Sequence, residues 1–239
     1  MNKKLSAIVI FMLIFFSLSA QNVLSEAEKQ QGFKLLFDGN TSEGWRSANA
    51  DIFPRSGWEI SNGELKVLDA REGLERGGDI VTVDQFKAFD LQFEFNISEG
   101  ANSGIKYGLG NNGPSIGLEY QLLDDENHPD AKQGIAGNRT LASLYDLITA
   151  EKEEGFINKP GEWNHGRIVV HPDNRVEHWL NGRKVVEYIR GDSIFKALVS
   201  GSKYKNYENF GMADKTPILI QDHNNLVRFR NIKIKELIN

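Results

Sequence analysis

Apolar and polar residues alternate one by one over several short stretches of this chain. Leu91, Phe93, Phe95 and Ile97 are interleaved with Gln92, Glu94 and Asn96. A two-residue repeat puts the apolar set on one face of a strand, whereas a helix needs spacings of three and four. The run Leu118-Glu119-Tyr120-Gln121-Leu122 repeats the pattern and predicts a strand with an acid and an amide on its polar face. Residues 33–37, 58–60, 64–68, 79–83, 163–171, 175–180, 184–189, 217–223 and 226–237 read as further strands, and 143–148 as a short one. Asn62-Gly63 and Asn181-Gly182 close hairpins, because both residue types tolerate positive φ. In the last strand Val227 and Phe229 share one parity, Ile232 and Ile234 the other; the phase change predicts a bulge near Arg230-Asn231.

Residues 124–141 form a long polar loop, and 191–214 is irregular with a helical turn near 194–198. About a dozen short strands with no long amphipathic helix predict an all-β fold, a two-sheet antiparallel β-sandwich. One layer cannot bury both the Phe93 set and the Ile218/Ile220 set.

The N-terminus changes the domain picture. Lys3 and Lys4 precede an apolar run over 5–18 and then Ser19-Ala20. This reads as a secretory signal over 1–20 cut after Ala20, with a retained membrane anchor as the alternative. A polar linker or surface helix (21–31) and one β domain (32–239) follow, in a periplasmic or secreted protein with no membrane partner after cleavage. The chain has no cysteine, which excludes disulfides, thiolate metal sites and a lipid-modified Cys. A formal net charge of -5 without a basic block argues against a nucleic-acid partner. There is no Gly-x-Ser-x-Gly elbow, phosphate loop or dinucleotide fingerprint.

Candidate chemistry starts at Glu119 and Gln121; a polar strand face that only meets water is the alternative reading. Retaining glycosidases use two carboxylates about 5 Å apart. Here the same-face neighbour of Glu119 is an amide, so an ordinary two-carboxylate mechanism is poorly supported. Asp124, Asp125, Glu126, His128 and Asp130 form an acidic knot that either holds a divalent ion, with Asp124 and His128 as ligands, or is a solvated turn. Gln221 and His223 fall opposite Ile218 and Ile220, so they can share the polar surface of Glu119. His178 has the parity of Val176 and Leu180. If those face the core, His178 is buried and Trp179 faces cleft or solvent; a bend in the sheet reverses this. Trp45, Trp58, Trp163 and Trp179 either stack on sugar rings or fill the core.

Several ordered segments resemble a family of secreted bacterial 3-keto-disaccharide hydrolase domains. They are Leu36-Phe37-Asp38-Gly39 with Gly44-Trp45, Ala101-Asn102-Ser103-Gly104-Ile105, and Gly117-Leu118-Glu119-Tyr120-Gln121-Leu122-Leu123-Asp124. Ser143-Leu144-Tyr145-Asp146, Gly161-Glu162-Trp163-Asn164, His178-Trp179-Leu180-Asn181-Gly182, Gln221-Asp222-His223 and Phe229-Arg230-Asn231-Ile232 complete the set, which covers nearly all of the mature chain.

The resemblance implies a concanavalin A-like jelly roll and action on 3-keto-glycosides or oligosaccharides, by hydrolysis or β-elimination. A ketone at C3 acidifies the C2 proton, so one base, one enolate-stabilising group and one acid suffice. Glu119, His178 and His223 are then the candidate catalytic residues. Asn102, Gln121, Trp179, Gln221 and Arg230 are candidate substrate contacts. No cofactor is certain, and a divalent metal ion is the candidate. A non-catalytic carbohydrate-binding module on the same fold is the rival reading, and a structural cell-surface domain a third. Asn224 stands where resembling proteins usually carry Gly; Asn tolerates the same left-handed turn.

Overall fold

The alternating stretches are strands, and the strands divide between two antiparallel sheets. The computed structural model describes residues 21–70, 73, 75–153 and 155–238; the segment expected to be a secretory signal lies outside them. The larger sheet runs in the order β11 (Arg183–Ile189), β10 (Arg175–Leu180), β9 (Asn164–Val170), β6 (Phe89–Ile97), β13 (Val227–Glu236), β4 (Glu64–Val67), β3 (Trp58–Ser61). The short β1 (Lys34–Leu35) also pairs with β13. The smaller sheet runs β2 (Trp45–Ser47), β5 (Ile80–Thr82), β12 (Leu219–Ile220), β7 (Asn102–Tyr107), β8 (Leu118–Leu123). Helical elements include α1 (Glu26–Gln30), α2 (Ser193–Ser200) and a 3-10 turn, Pro129–Lys132, inside the long polar loop. Among the described residues no helix is long and apolar enough to cross a membrane.

The core lies between the sheets and is made by the parity read from the sequence. Leu91, Phe93, Phe95 and Ile97 of β6 are buried, as are Leu118, Tyr120 and Leu122 of β8. Phe93 meets Tyr120 edge to face with ring centroids 5.5 Å apart, so the two alternating strands lock across the sandwich. Gly166 of β9 leaves room for the Phe93 ring: a Cβ there would stand 2.4 Å from it. Asn62-Gly63 and Asn181-Gly182 both have positive φ and close the expected hairpins.

The bulge is where the phase change put it. The β6–β13 register shifts between Arg230 and Lys233, with Asn231 at φ 52°. Asn22 and Asn231 exchange hydrogen bonds of 2.6 and 2.9 Å, so the segment expected as a linker is docked on this bulge. It carries α1, started by a capping box of Ser25 and Glu28. One expectation fails. Residues 143–148 are not a strand; Leu144 makes isolated bridges to Tyr120 and Ile148 within a chain of turns, with Asp146 in the left-handed region at φ 62°.

Candidate active site

Strand parity assembles the site on the outer face of the smaller sheet. In β8, the residues between the buried Leu118, Tyr120 and Leu122 are Glu119 and Gln121, which point the other way. The register pairs Glu119 with Lys106 and Gln121 with Gly104, and Asn102 continues the same face of β7. Beyond β12, Gln221 stays in register through its N–H to the Gly104 carbonyl, 2.9 Å. The long loop folds over this face from one side and the chain after α2 from the other. The result is a cleft of about 300 Å³ lined by Asn102, Lys106, Glu119, His128, Asp130, Tyr145, Lys203, Gln221 and His223, among others.

Glu119 is only 4% exposed. Gly104 lets its carboxylate lie across β7, since a Cβ at that position would come within 2.5 Å of Oε1. Lys106, itself buried, brings its ammonium to 3.5 Å from Oε2 and donates to the Ser115 carbonyl at 3.2 Å. Gln121 is 1% exposed; with its amide nitrogen turned toward Glu119 it donates to Oε1 and to the Ser103 carbonyl, both at 3.1 Å. Gln121 therefore stands behind Glu119 and orients it. It does not line the cleft, contrary to its expected place among the substrate contacts.

The cleft holds a second carboxylate, but a committed one. Asp130 accepts from Arg139 through Oδ1 at 2.9 Å and from the Tyr145 hydroxyl through Oδ2 at 2.8 Å. Arg139 also binds Asp146 Oδ1 at 2.7 Å, and Asp146 Oδ2 accepts the Lys203 N–H at 2.9 Å. This chain of bonds joins the long loop to the segment after α2 as one wall. Burial, then the bond to Asp130, pushes the Tyr145 pKa up, so the phenol stays a donor. The amide oxygens of Asn102 and Gln221 are buried with no hydrogen-bond partner. A buried acceptor left open is costly and marks where a ligand donor would fit.

His128 and His223 meet at the cleft, ring centroids 6.3 Å apart. Burial, and then the neighbouring His223, lower the His128 pKa, so the ring is neutral at neutral pH. Its Nδ1 accepts the Asp130 N–H at 3.2 Å as the cap of the 3-10 turn. A neutral imidazole that accepts at Nδ1 carries its proton on Nε2 and is a donor there.

That tautomer bears on the expected metal ligands. His128 has no free nitrogen lone pair, and Asp124 has no free oxygen. Asp124 Oδ2 accepts from Gly100 N (2.7 Å) and Asn127 Nδ2 (2.8 Å), and Oδ1 from the N–H groups of Glu126 and Asn127. Burial alone would raise the Asp124 pKa, but these bonds outweigh it and hold the carboxyl below the ordinary value. Asp124 is a turn cap, and the pair does not fit a metal ion. Among the described residues no group of three or more His, Asp or Glu is arranged to hold one.

Three other expected site residues lie elsewhere. His178 is fully buried between the sheets. Its Nδ1–H donates to the Ala142 carbonyl at 3.0 Å and its Nε2 accepts from the Tyr107 hydroxyl at 2.7 Å. Val176 and Leu180 do face the core, and His178 goes with them. Trp179 therefore sits on the outer face of the larger sheet, its indole N–H on Glu177 and Arg167 over its ring. Arg230, in the bulge, binds Glu94 and covers the Trp163 ring at 3.9 Å. Trp45 and Trp58 are buried and donate to backbone carbonyls of Leu36 and Gly78, as core residues do.

A larger cavity, about 590 Å³, opens around Trp163 and Phe156. Its aromatic faces are already covered by Arg230 and Arg183, and its Glu94 is bound by Arg230 and Asn231. The open polar groups lie in the smaller cleft. Sequence reasoning passed over two of that cleft's cations. Lys106 has the parity of Asn102, which was signal enough; Lys203 lies in irregular chain and carries none.

Fold and site together define a two-sheet β-sandwich protein whose polar cleft offers carboxylate, ammonium, imidazole and open amide groups to a ligand. Comparison with known proteins sharpens this. Residues 32–235 match the 3-keto-alpha-glucoside-1,2-lyase-like domain family. A 3-keto-disaccharide hydrolase of Bacteroides thetaiotaomicron is 35% identical over 240 residues, covering 86% of this chain and 79% of its own. A crystal structure of a candidate glycosyl hydrolase from Parabacteroides distasonis superposes with a TM-score of 0.80 at 31% identity, over 92% of this chain and all of that one. A second such protein of the same organism gives 0.65 at 25% identity, over 86% and 99%. The chain belongs to the 3-keto-alpha-glucoside-1,2-lyase-like domain family.

Proposed function

We propose that the cleft cleaves glycosides oxidised at C3, with Glu119 as the base that removes the C2 proton. One observation carries this reading: Oε2 of Glu119 faces the Lys106 ammonium at 3.5 Å without a close hydrogen bond, whereas both oxygens of Asp130 are closely bonded to Arg139 and Tyr145. Ordinary glycoside hydrolysis needs two working carboxyl groups. A 3-keto-glycoside needs one base, since the ketone itself makes the C2–H acidic.

The proton passes from C2 to Glu119 and an enolate forms. Its electron pair then makes the C1–C2 double bond as the C1–O bond breaks. The departing oxygen takes a proton from His223, which stands at the exposed rim of the cleft. Addition of water across the new double bond completes hydrolysis; release of the enone before that step is elimination. The open amide oxygens of Asn102 and Gln221 accept from sugar hydroxyls. Similarity to a 3-keto-disaccharide hydrolase supports the substrate class, and the charged and apolar pattern of the N-terminus supports secretion.

The test is aglycone release from an aryl 3-keto-glucoside. Glu119→Gln is expected to lower it by about 10²–10⁴-fold, the range for removal of a general base, with an unchanged circular dichroism spectrum. Saturable binding of the 3-keto-glucoside by the wild type without release would instead make this a carbohydrate-binding module.

A further inference from the structure

Proton abstraction beside a ketone leaves negative charge on the C3 oxygen, and the groups so far assigned do not meet it. Lys106 is spent on Glu119 and the Ser115 carbonyl, and Arg139 on Asp130 and Asp146. Lys203 is the remaining cation of the cleft and makes no ion pair with any described residue. Its ammonium lies 4.0 Å from the centre of the Tyr145 ring and 5.1 Å from that of Tyr204. Aromatic faces hold a cation in place without neutralising it.

The Lys203 backbone is held as well. Its N–H is fixed by Asp146, which Arg139 ties to Asp130 and so to Tyr145. A charge-bearing side chain on irregular chain is thereby positioned through three salt-linked groups and two rings. Such preorganisation is what a developing oxyanion requires, because the donor need not reorganise as charge appears.

We propose that Lys203 is a catalytic residue of this cleft, the cation that donates a hydrogen bond to the C3 oxygen and stabilises the enolate. The inference rests on the 3-keto-glycoside reading above. In the first step the C2–H bond breaks and its proton goes to Glu119. The C–H pair forms the C2–C3 double bond, and the carbonyl pair moves onto O3, against the Lys203 ammonium. In the second step that pair returns to restore C3=O, the C1–C2 double bond forms, and the C1–O bond breaks. Lys203 gives up no proton in either step. Burial of the ammonium lowers its pKa; Glu119 pulls it back up, and the neighbouring Lys106 charge lowers it further. Exposure of the side chain to solvent moderates that change.

The step can be watched apart from bond cleavage. A 3-keto-1,5-anhydroglucitol has no exocyclic leaving group at C1, so glycosidic cleavage is removed and exchange of its C2 proton for deuterium from D₂O can be read by proton NMR. Wild type is expected to catalyse this exchange. Lys203→Met is expected to slow it, and aglycone release from an aryl 3-keto-glucoside, by about 10²–10³-fold, the loss typical for one oxyanion donor. KM should stay within about three-fold, and Lys203→Arg should recover part of the rate. Exchange kept within three-fold in Lys203→Met while cleavage is lost would move Lys203 to the leaving group and overturn the proposal. So would a loss confined to KM. Wild-type protein that neither exchanges nor cleaves would overturn the 3-keto-glycoside reading itself, a result distinguishable from either of these.

Discussion

Glu119 and His178 show how strand parity sets a residue's surroundings. Both were candidates for the same chemistry. Glu119 lies on the outward parity of β8, beside Lys106 and against Gly104. His178 lies on the inward parity of β10, bonded to Tyr107 and Ala142. Burial lowers the His178 pKa to about 4, the Ala142 bond opposing this in part. The sign of the linkage follows. Above the unfolded value near 6.5 the ring is neutral in both states. Between 6.5 and 4 the unfolded chain binds a proton that the native state lacks, so stability falls as pH falls; below 4 this contribution changes no further. Over that window the loss amounts to about 3 kcal/mol. Urea unfolding at pH 7.5 and 4.5 should show the advantage of wild type over His178→Gln shrinking by most of that amount; a constant gap would contradict it. For Glu119, Gly104→Ala is the sharper probe. The new Cβ displaces only the end of a flexible side chain, so folding should survive. Turnover of a 3-keto-glucoside should fall by about 10²-fold, as misplacement of a reacting group by an ångström does. Unchanged turnover would mean that the carboxylate's seat across β7 is not needed.

At the scale of elements, periodicity was a good guide and irregular chain was not. The alternation in β6, β8 and β13 placed the core residues, and the phase change in β13 placed the bulge that bends Arg230 and Asn231 outward. Gln221 and His223 were legible for the same reason, falling on the face opposite the buried Ile218 and Ile220. What parity cannot give is the course of 124–147 and 201–214, whose paths are set by side-chain bonds between distant residues. Asp222 illustrates this coupling. Its buried carboxylate accepts from Gly77 N (3.0 Å), Gly78 N (2.8 Å) and Asn224 N (2.9 Å), with Asn224 in the left-handed turn at φ 64°. These bonds pin the end of β12 and hold Gln221 and His223 on either side. Asp222→Ala should cost about 3 kcal/mol of stability, as expected for lost bonds to a buried charge, and should raise KM for a 3-keto-glucoside. Urea unfolding and initial-rate kinetics measure the two, and an effect on stability with KM untouched would separate the pin from the site.

Over the whole molecule, the inner faces of two sheets are joined by large apolar contacts, and the cleft is carried on the outside of the smaller one. The Phe93–Tyr120 contact crosses the sandwich directly behind Glu119 and Gln121. Phe93→Ala should lower stability by about 3–5 kcal/mol, the range for a buried Phe truncated to Ala, in one cooperative urea transition. Two separate transitions would show that the sheets fold independently.

The sequence by itself determined the sandwich, the faces of its strands, the hairpins and the bulge, because a period of two and a pair of turn residues are local properties. It also determined that Glu119 has no carboxylate partner on its own strand. Only the tertiary structure decided which polar groups share a cleft. His178 went inward with Val176 and Leu180, Trp179 and Arg230 went to the far side of the other sheet, and Asp124 was consumed as a turn cap. Lys106, Asp130 with Tyr145, and Lys203 came together from three separate parts of the chain. Their meeting depends on contacts between residues far apart in the chain, and no local pattern records those.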